Sequence, residues 1–215
     1  MRILQGTKPV EAAASWRDAF RQHRVVIDVG AGDGRWAYDG ARHDAESLYV
    51  AVDPDAESLA EYAYRAGRKP SRGGTSNALF VIASVEELPQ ELTGIAALVR
   101  VNFPWGSLLR GLVLPEAHVL EALASLGVAD ARFEFVISYD PEHDIAGLAG
   151  ETLPPLTEAR IDDVLAPPYA AAGLQMDHRR QMSLDEAIAL PSTWARRLLH
   201  GRRREVFWIE GSIVS

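Results

Sequence analysis

The first chemical signal is a set of acids and glycines at fixed spacing. Val25-Val26-Ile27-Asp28-Val29 runs into Gly30-Ala31-Gly32-Asp33-Gly34. Glycine lets the backbone turn sharply and approach a ligand closely. The spacing is Asp-x-Gly-x-Gly-x-Gly rather than Gly-x-Gly-x-x-Gly, which favours S-adenosylmethionine (SAM) over NAD. A second acid, Asp53, ends the apolar run Leu48-Tyr49-Val50-Ala51-Val52, 19 residues after Gly34. A carboxylate at that strand end can accept both ribose hydroxyls of a nucleoside. It can equally cap the helix that follows Asp53-Pro54. An ordinary glycine-rich turn is the competing reading of the first stretch; two agreeing features favour the ligand site.

The second signal is aromatic. The fourth strand, Ala96 to Val101, ends in Asn102-Phe103-Pro104-Trp105-Gly106-Ser107. Parallel strands put their C-terminal ends at the ligand crevice, so Trp105 is expected at its mouth, where an indole face can stack a flipped base. Core packing is the competing role. Trp194 lies in Ser192-Thr193-Trp194-Ala195-Arg196-Arg197, just before Gly201-Arg202-Arg203-Arg204. Arg65, Arg68, Lys69 and Arg72 form another cluster, so nine of the 22 Lys and Arg sit in two short windows. Each cluster alone reads better as a solvated helix face.

The elements that must position these groups follow from hydropathy. A short hairpin is expected over residues 1 to 10 and a helix from Glu11 to Gln22. The opening strand at 25–29 leads into a helix from Arg35 to Ala45. A helix from Ala56 to Arg65 and a loop over 68–77 precede strand three, Ala78 to Ala83; Glu86 follows it, a candidate contact to the adenine of a bound cofactor and, from position alone, equally an exposed acid in a loop. A helix pair spans Leu108 to Leu126, and strand five spans Ala131 to Ser138. Tyr139 to Thr157 is long, acidic and proline-bearing, which predicts a mobile surface linker. Helix returns at Glu158 to Leu165 and before Gly173. Strand six is expected at Leu174 to Gln181, a capping box at Ser183 to Glu186, and a last strand at Val206 to Ile209. Helices alternating with strands give an α/β class I methyltransferase fold: Rossmann-like, with a seven-stranded, mostly parallel sheet and a short N-terminal hairpin.

Composition narrows the class. With 215 residues, 47% of them hydrophobic, the chain is long enough for one domain over 1–215 with a full core. No run is long enough to span a bilayer and the N-terminus lacks a signal-peptide pattern, so a cytoplasmic protein is expected, with no membrane partner. The chain has no cysteine, which excludes disulfides and thiolate metal sites, and no metal is expected. A net charge of −8 argues against a generic nucleic-acid binder.

Five blocks in order carry a resemblance: Asp28 to Gly34, Val52-Asp53-Pro54, Lys69-Pro70-Ser71-Arg72-Gly73-Gly74, Phe103-Pro104-Trp105-Gly106-Ser107-Leu108-Leu109, and Trp194-Ala195-Arg196-Arg197-Leu198. The chain resembles the aminoglycoside-resistance 16S ribosomal RNA methyltransferases that modify N1 of a decoding-site adenine. The likeness runs from Ile3-Leu4-Gln5-Gly6-Thr7-Lys8 to the C-terminal strand. It implies SAM as cofactor and the small ribosomal subunit as partner, met by a monomer. It also implies cofactor contacts from Asp28, Gly30, Gly32, Asp53 and Glu86, with Ser107 and Ser192 lining the pocket. Trp105 and Trp194 would sandwich the adenine, and the Phe103 carbonyl would accept from its amino group. Arg65, Arg68, Lys69, Arg197, Arg202 and Arg204 would dock the rRNA. Here Tyr64, Ala66 and Gly67 interrupt the basic run before Lys69, and Asp140, Glu142, Asp144 and Glu151 fill the linker.

Such chemistry needs little from the protein beyond placement. Neutral adenine N1 has an in-plane lone pair, so no base is required, and position dominates. Three alternatives stay open: methylation of an exocyclic amine, of a small molecule, or a homologue that binds SAM and rRNA with little or no turnover.

Overall fold

The computed structural model describes residues 1–141, 144, 152–193, 198–199 and 204–214. Its strands are β1 (Arg2–Gln5), β2 (Lys8–Glu11), β3 (Arg24–Val29), β4 (Ser47–Asp53), β5 (Ala78–Ile82), β6 (Ala96–Asn102), β7 (Gly127–Ile137), β8 (Leu174–Gln181) and β9 (Phe207–Ile213). They form one sheet in the order β2-β1-β5-β4-β3-β6-β7-β9-β8. The five central strands are parallel; both flanks are antiparallel. The sheet therefore has nine strands where seven and a separate hairpin are expected from sequence. The hairpin joins it through Ile3 opposite Val81. Ile3 packs into one core and Leu4 into the other, so β1 is apolar on both faces, as a strand inside a covered sheet must be.

The larger core lies between one face of the sheet and α1 (Ser15–Gln22), α4 (Gly106–Val113) and α5 (Ala117–Ser125). On the same side, α6 (Glu158–Arg160) passes through a π-helical segment, Ile161–Leu165, into α7 (Ala166–Ala171). Pro167 and Pro168 lack the N–H groups that would continue an ordinary helical ladder at that join. The opposite face of the central strands is covered by α2 (Arg35–His43) and α3 (Ala56–Ala66). In β3, Val25, Ile27 and Val29 point into the first core. The strand's period of two therefore puts Asp28 on the other face.

Two expectations are corrected. The first helix begins at Ser15, because Glu11 pairs with Arg2 as the last residue of β2. The described part of the acidic stretch after β7 is no surface linker. Tyr139, Asp144, Leu153 and Leu156 are all buried, and the Tyr139 hydroxyl donates to the Pro154 carbonyl. Leu153 and Leu156 join the main core, and the inward acid Asp144 finds a buried cation. The box at Ser183 forms as expected and opens α8 (Leu184–Ala189), with the Ser183 and Glu186 side chains capping reciprocally.

Candidate functional site

A cavity of about 810 Å³ opens at the C-terminal ends of β3, β4, β5 and β6. That size is usual for a small-molecule site, roughly 300–1,000 Å³. Asp28, Gly30, Gly32, Asp53, Glu86, Phe103, Trp105, Ser107 and Ser192 all line it, so residues spread along the chain converge on one space.

The glycine turn is built from left-handed backbone: φ is +69° at Gly30, +59° at Gly32 and +74° at Gly34. A Cβ on Gly30 would stand 2.7 Å from Leu108 Cδ2. At Gly32 a Cβ would meet no protein atom within 4 Å, so a side chain there would occupy space beside the cavity wall that only glycine leaves clear. The turn is pinned to β4 by the Gly30 and Ala31 N–H groups, which donate to the Val52 carbonyl at 2.9 and 3.0 Å. It is also pinned to Asp53, whose Oδ2 accepts from the Gly32 N–H at 2.7 Å. Asp53 Oδ1 accepts from the Asp55 N–H at 2.9 Å. Burial raises the Asp53 carboxyl, and those two N–H bonds oppose the rise. Each oxygen keeps a second lone pair, so the carboxylate can still accept hydroxyls. The capping alternative falls away: Asp55 caps α3, accepting from the Glu57 and Ser58 N–H groups.

Asp28 is 2% exposed. Burial pushes its carboxyl up to about 7; the Arg100 charge and a hydrogen bond from Asn102 oppose this, while Asp53 and Asp33 add to it. Glu86 goes the other way. Burial raises it, but Ser107, its own backbone and Ser84 together bring it below the usual range.

The lining carries Asp28, Asp33, Asp53, Asp55, Glu57, Glu61 and Glu86, and among the described residues no Lys or Arg. That field repels the pyrophosphate of a dinucleotide and attracts a cation. SAM carries a sulfonium and an ammonium, so the donor set fits it.

Phe103 turns the chain out of β6 with φ +49°. A bulky residue in that region is strained. Its N–H donates to the Val136 carbonyl at 2.7 Å and its ring is 2% exposed. Trp105, half-buried, lines the cavity and packs against two apolar clusters at once. It is both wall and core, a mixture of the two roles weighed from sequence. Pro191, Ser192 and Thr193 also line the cavity.

The family model described as NpmA, 16S rRNA (adenine(1408)-N(1))-methyltransferase, matches residues 2–213. The chain belongs to that family. A 16S rRNA (adenine(1408)-N(1))-methyltransferase of Escherichia coli is 36% identical to it over 222 residues, covering 99% of both chains. A Catenulisporales acidiphilia enzyme of the same name was solved as a tryptophan-to-alanine mutant with cosubstrate SAM. It superposes with TM-score 0.91 and is 35% identical, covering 100% of this chain and 97% of its own. The antibiotic-resistance methyltransferase Kmr gives TM-score 0.82 and 36% identity, covering 100% of this chain and 99% of its own. The fold is that of the class I SAM-dependent methyltransferases, and the family's cofactor is SAM.

In this methyltransferase the basic candidates divide. Arg65, Arg68 and Lys69 are exposed on one loop and the helix before it. Arg65 stacks over Tyr62 at 4.9 Å and pairs with Glu61. The loop is held: the Tyr38 hydroxyl donates to the Gly73 carbonyl at 2.7 Å, and the Lys69 carbonyl accepts from the Arg72 and Gly74 N–H groups. A Cβ on Gly74 would fall 1.6 Å from the Arg68 carbonyl oxygen. Arg204 does not share that surface. Its side chain is 2% exposed and grips Asp144, itself 5% exposed, through both terminal nitrogens. Its place as an exposed phosphate contact is corrected to a buried ion pair, because that carboxylate lies inside. Trp194, Arg197 and Arg202 lie outside the described residues.

Sequence reasoning missed what lies behind Asp28. Asn102 Nδ2 donates to Asp28 Oδ1 at 3.1 Å, Arg100 Nε donates to Asn102 Oδ1 at 3.0 Å, and Arg100 Nη1 pairs with Glu134. The Arg100 guanidinium lies over the Trp36 ring at 4.7 Å and over Trp208 at 5.2 Å. The signal was a lone charge inside an apolar strand, two residues from Asn102 and so on the same face.

Proposed function

We propose that the protein transfers a methyl group from SAM to N1 of adenine 1408, the decoding-site adenine of 16S rRNA. The substrate is the small ribosomal subunit and the product protects it from aminoglycosides. The whole chain acts as one domain, as a monomer, in the cytoplasm. The observation that carries the reading is the acidic, glycine-floored cavity lined also by Phe103 and Trp105. A cation binds beside the strained turn at which a base can stack.

SAM supplies a methyl already activated by its sulfonium. The protein's part is to hold and orient. Asp53 takes the ribose hydroxyls, and Glu86 with Ser107 borders the adenosine. Trp105 and Trp194 stack the target base, and the Phe103 carbonyl accepts from its amino group. Indole faces also favour the positive charge that develops on the methylated ring. Arg65, Arg68, Lys69, Arg197 and Arg202 hold phosphates, which fixes register without reading sequence.

Methylation of an exocyclic amine needs an acceptor for the amine protons at this strand end. Asn102 offers one side-chain carbonyl oxygen, and it already accepts from Arg100; the Phe103 carbonyl is a second acceptor at this strand end, so the modified position is decided by the experiment below. No helix of the described residues is long and apolar enough to cross a membrane. The test is methylation of purified small subunits with labelled SAM, followed by mapping of the modified base. Label at adenine 1408 N1 is expected. Label on another position, or only on free small molecules, would refute the assignment.

A further inference from the structure

Arg100 lies beneath the cavity floor without lining it, and its position poses a question of polarity. An arginine can only donate hydrogen bonds. Asn102 must therefore present its carbonyl oxygen to Arg100 Nε and its amide nitrogen to Asp28. The amide's orientation, ordinarily ambiguous, is fixed by its neighbour. The register gives the same alignment: Asp28 stands opposite Arg100 in the β3–β6 pairing, and Arg100 opposite Glu134 in the β6–β7 pairing. The guanidinium is wedged between Trp36 and Trp208, so it cannot swing away to solvent.

We infer that Arg100 is a positioning residue for SAM binding, acting through Asn102 and by its charge to keep Asp28 an oriented, ionised acceptor for the cationic end of the cofactor. The inference rests on the assignment of the cavity to SAM. Around Asp28, Asp53 comes from β4 and Asp33 from the glycine turn, and the positive charge acting on it comes from Arg100 of β6. Burial and two acids favour the neutral carboxyl; the Arg100 guanidinium and the Asn102 hydrogen bond that it orients oppose them. Glu134, 22% exposed at its side chain, shares that positive charge from the far side. The pair therefore sets the Asp28 carboxyl from opposite directions. Removing Arg100 raises it, while neutralising Glu134 leaves Arg100 unshared and lowers it.

The sign can be read in the cofactor-free protein. Aspartate carboxyl carbons are labelled with 13C, Asp28 is assigned through Asp28→Asn, and its titration is followed by NMR. The wild-type, Arg100→Gln and Glu134→Gln proteins are compared, and SAM affinity is measured by calorimetry across the same pH range. The Arg100→Gln midpoint should rise by about one pH unit, with SAM binding about fivefold weaker at pH 7 and recovering towards pH 9. The Glu134→Gln midpoint should fall. If Arg100→Gln does not fold, Glu134→Gln carries the test alone. Midpoints that stay at the wild-type value in folded variants would overturn the inference, as would two variants that shift the same way. Failure of the wild-type protein to bind SAM would instead overturn the cofactor assignment, because the NMR titration needs no cofactor.

Discussion

Trp105 tests the base-stacking site most directly, and its packing sets the size of the expected effects. From sequence, Trp105 is expected at the crevice mouth, with core packing as the competing role. In the structure it is half-buried against two apolar clusters. Truncating a fully buried Trp to Ala costs about 3–5 kcal/mol; half of that contact gives about 2 kcal/mol. For a chain of this size that is a fall in Tm of about 4–8 °C. Stacking on a base is worth about 1–3 kcal/mol, or about 5- to 150-fold in kcat/KM on intact subunits. Trp105→Phe keeps a π-face and much of the packing, so it should retain a measurable part of the activity with a smaller loss in Tm. The assay is labelled-methyl transfer to small subunits well below the melting point of Trp105→Ala, with folded fraction checked by circular dichroism. Methylation by folded Trp105→Ala within about twofold of wild type, below the weakest stacking loss above, would refute the stacking role. A Tm loss beyond about 5 kcal/mol equivalent would place the residue wholly in the core.

Asp53→Ala should weaken SAM binding by about tenfold or more and leave the subunit docking surface intact, as two hydroxyl hydrogen bonds to a charged acceptor are lost; unchanged calorimetric affinity would remove the ribose assignment. Asp144→Ala leaves Arg204 buried and unpaired, which should cost about 3–5 kcal/mol of stability, read as a lowered Tm. Arg204→Glu, opposite Asp144, should destabilise in the same way, and an unchanged Tm in both would return Arg204 to the surface. Reversing Arg65, Arg68 and Lys69 to Glu should weaken subunit binding and flatten its dependence on salt, with SAM affinity untouched. Salt-independent binding in the wild-type protein would mean those residues are a solvated face only.

The strand–glycine–helix unit was readable because its signals are local. Asp28 to Gly34 needs positive φ at three glycines, and Asp53 closes the next strand, so both show in linear spacing. The same holds for Ser183 and Glu186, which cap a helix within one turn. What stayed hidden depends on contacts between distant segments. The sign of Arg204 as surface or core is decided by Asp144, sixty residues away, and an acid in a polar stretch carries no mark that it points inward. Arg100 is the same case seen from the site. Its charge is conspicuous in an apolar strand, but only the register of three parallel strands brings Asp28, Arg100 and Glu134 into one row. Only then does the buried cation acquire its reason. A carboxylate placed where water is excluded needs a counter-charge to stay ionised, and from the neighbouring strand β6 Arg100 supplies that charge without lining the cavity.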